Sequence, residues 1–162
     1  MKHRNFLVLI ALAILSLFST SCEKDDTKPA TTNGNSATVS GTFTVNGAAQ
    51  TPTRATRGVI TETSSQKTYT QTTVQNDKYV LQIDFSNATM ASGDYKITQE
   101  FLTGNRNANI TFRDLATGKA TLIVDIDKRV TVSGDRITIP ALSFNFDGKD
   151  VTLSGDYTVK SN

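Results

Sequence analysis

The chain has 162 residues, 37% of them apolar, with no Trp, one Cys and one His. That length accommodates one domain with a sizeable core, and a lone cysteine excludes an intrachain disulfide. The formal charge of +2 comes from seventeen basic against fifteen acidic residues. Lys2 and Arg4 supply the excess, and with no basic run and no Trp a nucleic-acid interface has no support.

Residues 1–21 fall into three zones: Lys2, His3 and Arg4; an apolar run from Phe6 to Phe18 interrupted only by Ser16; then Ser19, Thr20 and Ser21 before Cys22. The run is too short for a bilayer core of about 30 Å, which takes roughly 20 residues. Charge, a short apolar segment and then small residues form the pattern of a secretory signal peptide that is removed. The small residues ending at Cys22 resemble the lipobox of bacterial lipoproteins, with Ser19 standing where that family more often has Leu. The resemblance implies a Cys22 thiol joined to diacylglycerol, then cleavage, leaving Cys22 as an acylated (palmitate-type) first residue held to a membrane. Two or more acyl chains give stable anchoring where one is marginal. The following Glu23, Lys24, Asp25 and Asp26 are similar to the acidic export signal of surface lipoproteins in Bacteroidota-type bacteria. That likeness implies an outer-membrane location facing outward.

Residues 22–36 read as a lipidated, flexible tether, since from Glu23 to Ser36 no large apolar residue occurs. Fully extended, such a segment spans about 45 Å, and roughly 20 Å as a random coil. Residues 37–162 read as a single all-β domain. Val39, Gly41, Phe43 and Val45 alternate with Thr38, Ser40, Thr42 and Thr44, the period of a half-buried strand, and Asn46-Gly47 ends it in a turn. Pro52 marks a loop or edge; Gly58–Glu62 and Lys67–Gln75 follow as strands. Asn76-Asp77 then turns into a strand that faces Tyr79, Leu81, Ile83 and Phe85 one way. The irregular stretch Ser86–Gly93 is given one helical turn near Ala88. Tyr95, Ile97, Gln99 and Phe101 form the next strand, followed by one marked by Ile110 and Phe112, another over Ala120–Ile126, and one with Val130 and Val132. Pro140 places a bend or an edge after Ile137 and Ile139. Leu142, Phe144 and Phe146 then lead through Asp147-Gly148 to a last strand carrying Val151, Leu153, Gly155, Tyr157 and Val159.

About nine or ten strands with short turns imply antiparallel neighbours and an antiparallel β-sandwich. A lipocalin-like meander barrel is the alternative, although the Gly-x-Trp start typical of that family is missing. With His3 in the leader and Cys22 acylated, Ser-His-Asp and Cys-His nucleophiles and the usual zinc or copper ligands are excluded. No catalytic, metal or cofactor residue is assigned. The carboxylate pairs Asp125/Asp127 and Asp147/Asp150 lack the spacing of a calcium loop and read as solvated charges. Arg54, Arg57, Arg106 and Arg113 read as scattered surface charges, and Phe43, Phe85, Phe101, Phe112, Phe144 and Phe146 as core. The expected protein is a membrane-anchored surface lipoprotein whose domain is a non-enzymatic binding or accessory module, its glycan, protein or other ligand unspecified. Its rivals are a carrier of a small apolar ligand between the sheets and a carboxylate-based hydrolase.

Overall fold

A computed structural model describes residues 35–162. The leader, Cys22 and the charged run Glu23–Asp26 lie outside the described residues. Eleven strands follow in order: β1 (Asn35–Val45), β2 (Ala48–Gln50), β3 (Arg54–Thr61), β4 (Thr68–Gln75), β5 (Tyr79–Phe85), β6 (Gly93–Ile97), β7 (Asn107–Asp114), β8 (Ala120–Ile123), β9 (Asp125–Ser133), β10 (Arg136–Phe146) and β11 (Lys149–Ser161). Period-two patterning is the cause. In β5 Leu81, Ile83 and Phe85 are fully buried, and in β11 Val151, Leu153, Tyr157 and Val159 face the same interior while Thr152 and Asp156 face solvent. Thr fills the alternate positions, because a β-branched hydroxyl residue suits the wet face of a pleated sheet.

The fold is an all-β sandwich built from one continuous mixed sheet rather than a regular barrel. One layer runs β8-β7-β5-β4-β3 and the other β6-β9-β10-β11-β1-β2. Two short pairings join the layers at their flanks. Asn35–Ala37 of β1 pair with Ala55–Arg57 of β3, and Lys96 and Ile97 of β6 pair with Asn107 and Ala108 of β7. That second pairing is parallel, where short turns alone predict antiparallel neighbours throughout. It arises because β6 stops at Ile97 and the chain doubles back through residues 98–106 to start β7 beside it. Between the layers lies one apolar cluster that includes Phe43, Phe85, Tyr95, Ile110, Phe112, Val132, Leu142 and Tyr157.

β1 pairs with β11 over nine positions, from Ala37 opposite Ser161 to Val45 opposite Leu153. Gly41 sits in this ladder at φ +101°, opposite Tyr157. A Cβ there would lie 2.4 Å from the Asp156 carbonyl oxygen and 2.7 Å from the Tyr157 Cα, so only glycine lets the two backbones approach this closely.

Several expectations are corrected in detail. The strand expected from Tyr95 to Phe101 ends at Ile97; Phe101 lies instead in a 3₁₀ turn, Phe101–Thr103, outside the core cluster, its ring edge-on to Tyr69 at 5.2 Å. No helical turn forms near Ala88; that loop is fixed by Tyr95, whose hydroxyl donates to the Ala91 carbonyl at 2.8 Å and accepts from its N–H. The strand expected over Ala120–Ile126 breaks at Val124, where the chain crosses from one layer to the other. That break moves a boundary between two expected strands, and the three-residue β2 is the strand beyond the expected ten. β1 starts at Asn35, inside the stretch read as tether. At Pro140 the register between β10 and β11 shifts, as a residue without an N–H demands.

Candidate functional site

Four turns meet at one end of the sandwich: Asn46-Gly47 between β1 and β2, residues 76–78 between β4 and β5, 115–119 between β7 and β8, and Asp147-Gly148 between β10 and β11. Asn46 and Asp147 take left-handed φ values of 51° and 53°, each followed by a positive-φ glycine, the requirement of a two-residue hairpin. Short polar side chains then hold each turn. Asn46 Oδ1 accepts the Thr152 N–H at 2.9 Å, Asn76 Oδ1 accepts those of Lys78 and Tyr79, and Asp114 Oδ1 accepts those of Ala116 and Thr117.

Between these turns opens a cleft of about 240 Å³. Its floor is aromatic. Phe112 contacts Tyr79, Phe144 and Phe146 with ring centroids 5.3, 5.6 and 5.4 Å apart. Its rim is polar: Asn46, Asp114, Thr117, Asp147, Lys149 and Asp150. Lys119 reaches across from the β7–β8 turn to form an ion pair with Asp147, and its hydrogen bond holds that carboxyl below the usual carboxylate range. A second groove of about 360 Å³, lined by Asp77, Lys78, Leu115 and Ala116, shares Tyr79 and Asp114 with the first. The combination of exposed aromatic edges and fixed polar groups suits recognition, because it offers apolar area and orientation together.

The residues singled out in the sequence distribute as follows. Phe144, Phe146, Asp147 and Asp150, neighbours in the sequence, are met at this end by Phe112 of β7, which no spacing links to them. Phe43 and Phe85 are fully buried and fill the interior, and Phe101 lies outside it. Asp125 and Asp127 stay side by side on β9, where Asp125 Oδ1 accepts the Asp127 N–H at 3.2 Å. Among the described residues no three His, Cys, Asp or Glu side chains gather as a metal site. The four arginines remain apart. Arg57 binds Asp135 at 2.7 Å, Arg106 donates to the Ser92 carbonyl at 3.1 Å, and Arg54 and Arg113 are exposed. The sequence reading missed Tyr79, Thr117 and Lys149 as cleft residues. The signal was in the turns: alternate hairpins of an antiparallel sheet bring their loops to one end.

One carboxylate is perturbed by burial, and it lies outside the cleft. Asp84 sits on the outward face of β5, 6% exposed, opposite Gln71 of β4 and Asn109 of β7. Gln71 and Gln82 donate to it at 3.0–3.1 Å, yet desolvation prevails and raises its pKa. No second carboxylate is opposite it, so no acid–base pair forms. Because the folded state holds this proton more tightly than the unfolded one, Asp84 stabilises least once pH has risen above its folded-state pKa. The Asp84→Asn variant is therefore expected to unfold at a higher temperature than the parent at pH 7. The advantage should shrink as pH falls toward about 4, the usual carboxylate value. Thermal unfolding from pH 4 to pH 7 checks this; a variant less stable at pH 7 contradicts it.

Among the described residues no helix is long and apolar enough to cross a membrane. No family model matches the chain, and no curated protein or solved structure is significantly similar to it.

Proposed function

We propose that this protein is a lipoprotein held at Cys22 to the outer membrane, facing outward, whose β domain is a non-enzymatic binding or accessory module that engages its ligand at the four-turn end. The observation that carries the proposal is where that end lies. The tether joins the domain at Asn35, and β1 runs eleven residues from there to Val45 at the edge of the cleft. At about 3.3 Å per residue the cleft stands roughly 35 Å beyond the attachment point. A lipid anchor at Cys22 thus presents the aromatic floor and polar rim away from the membrane. The interior adds weight. Phe43, Leu81, Ile83 and Phe85 are fully buried in one cluster, which favours a surface site over a carrier cavity between the layers.

Two measurements test the reading. Mass spectrometry of the mature chain should find diacylglycerol on Cys22, and Cys22→Ser should release the protein from the membrane fraction. A glycan, lipid and peptide screen on the full chain should yield a ligand whose affinity falls about tenfold or more in Phe146→Ala, the scale of one aromatic anchor. An unmodified Cys22 thiol, or a ligand indifferent to Phe146→Ala, overturns the corresponding half.

A further inference from the structure

The flank of the sandwich below the cleft is left open on one side. β9 pairs with β10 only through Thr131–Ser133 against Arg136–Thr138, and above that point the two strands part. Two features separate them. β10 carries Pro140 and its register shift, and β9 bulges where Lys96 pairs with Arg129 but Ile97 pairs with Asp125. From Ile139 to Phe146, β10 pairs with β11 alone, and across the flank β8 pairs with β7 alone.

The hairpin geometry shows which backbone groups this frees. Phe146 and Lys149 flank a two-residue turn and exchange both main-chain bonds, so by alternation Phe144 and Leu142 also turn toward β11. Ala141, Ser143 and Asn145 therefore present their N–H and C=O to the open flank. Only side chains cross it. Lys128 Nζ donates to the Ala141 carbonyl at 3.1 Å, and Lys119 pairs with Asp147. The flank also carries apolar side chains: Val124, between β8 and β9, and Ile126, on β9, are 48% and 55% exposed, and Phe144 and Phe146 on β10 are half-buried.

We propose that this flank is a strand-addition site, where an extended peptide of a partner protein pairs with β10 at Ser143 and Asn145. This deepens the binding-module reading and rests on it. A strand laid against β10 at the usual spacing of roughly 4.8 Å has main-chain partners there, and the outer edge of β8 across the flank is likewise unpaired. A second copy of the chain would set Asp125, Asp127 and Asp150 against the same carboxylates, so like charges oppose it. The tether is no match either, since Glu23–Gly34 has no large apolar side chain to set on Phe144 or Ile126 and joins at the other end. The peptide that fits has apolar residues at every second position, facing Phe144, Phe146 and Ile126. Between them it carries Lys or Arg, since Asp125, Asp127 and Asp150 around the flank have no ion-pair partner among the described residues. Pro140 and Lys128 blunt the lower edge, as edge strands commonly require, and Lys119 closes the upper end at Asp147, which leaves Ser143 and Asn145 open between them.

The test uses the full chain and a synthetic eight-residue peptide alternating Val or Phe with Lys or Thr, with a scrambled control of identical composition. In the free protein the Ser143 and Asn145 amides should exchange rapidly. The alternating peptide should slow both by tenfold or more and bind at least tenfold tighter than the control, and Ser143→Pro should abolish that difference. Exchange is read on the unmutated chain, so the outcome stands even where the proline variant folds poorly. Equal binding of the control, binding without protection of these amides, or protection that grows with protein concentration in the absence of peptide overturns the proposal. A ligand that protects Asn46 and Thr117 instead overturns strand addition while leaving the binding-module reading intact.

Discussion

Gly41→Ala is expected to destabilise the domain by about 2–6 kcal/mol, combining backbone strain of about 1–3 with overpacking of a similar size. At φ +101° an L-residue is strained in any surroundings, and here the new methyl also meets backbone atoms of Asp156 and Tyr157 at 2.4 and 2.7 Å. Backbone atoms cannot swing aside as a side-chain terminus does. The β1–β11 ladder would have to part, and with it the nine-position pairing that joins the first and last strands of the described residues. Gly47→Ala is the control. Gly47 also has positive φ, at +76°, but a Cβ there meets nothing within 4 Å. It should cost only about 1–2 kcal/mol, the left-handed penalty alone. Urea unfolding of both variants separates the terms; equal midpoints would show that the close approach to β11 carries no energy.

Phe112→Ala should cost about 3–5 kcal/mol, the range for emptying a packed aromatic site. Phe112 is 1% exposed and its ring meets three others, Tyr79 of β5 and Phe144 and Phe146 of β10. It is thus core and cleft floor together, and the variant should lose ligand affinity as well as stability. Phe101→Ala removes the same ring from outside the core, where Tyr69 is its one aromatic neighbour within stacking distance among the described residues, and should cost no more than about 1.5 kcal/mol. Unfolding midpoints that fail to separate the two would mean the inter-layer cluster is not where the domain's stability resides. Against a typical total of about 5–15 kcal/mol, either Gly41→Ala or Phe112→Ala can leave little folded protein at 37 °C.

Most strands are legible in the sequence because alternation is a local property. Leu81, Ile83 and Phe85, or Leu153, Tyr157 and Val159, declare their face without reference to any partner. The failures share a different cause. Phe101 continues the alternation of Tyr95 and Ile97, but the parallel pairing of β6 with β7 requires the chain to turn back after Ile97, and that is a long-range demand. Val124 likewise reads as mid-strand until one knows that β8 and β9 belong to different layers. The cleft follows the same logic. Phe112, Phe146 and Asp150 could each be named from the sequence, but their convergence depends on which turns share an end. Gly41 reads from the sequence as one more inward position of β1, because its positive φ and close approach to β11 leave no mark in the neighbouring residues.

The antiparallel pairing of β1 with β11 has a mechanical consequence. A pull transmitted through the chain ahead of Asn35, against a load held at the four-turn end, acts along the axis of β1. All the cross-strand bonds between Ala37 and Val45 then resist in shear together, instead of opening one after another like a zipper. A tether attached at the other end of that strand would peel it. A domain anchored as proposed and loaded at that end would be pulled in the direction in which this pairing holds best.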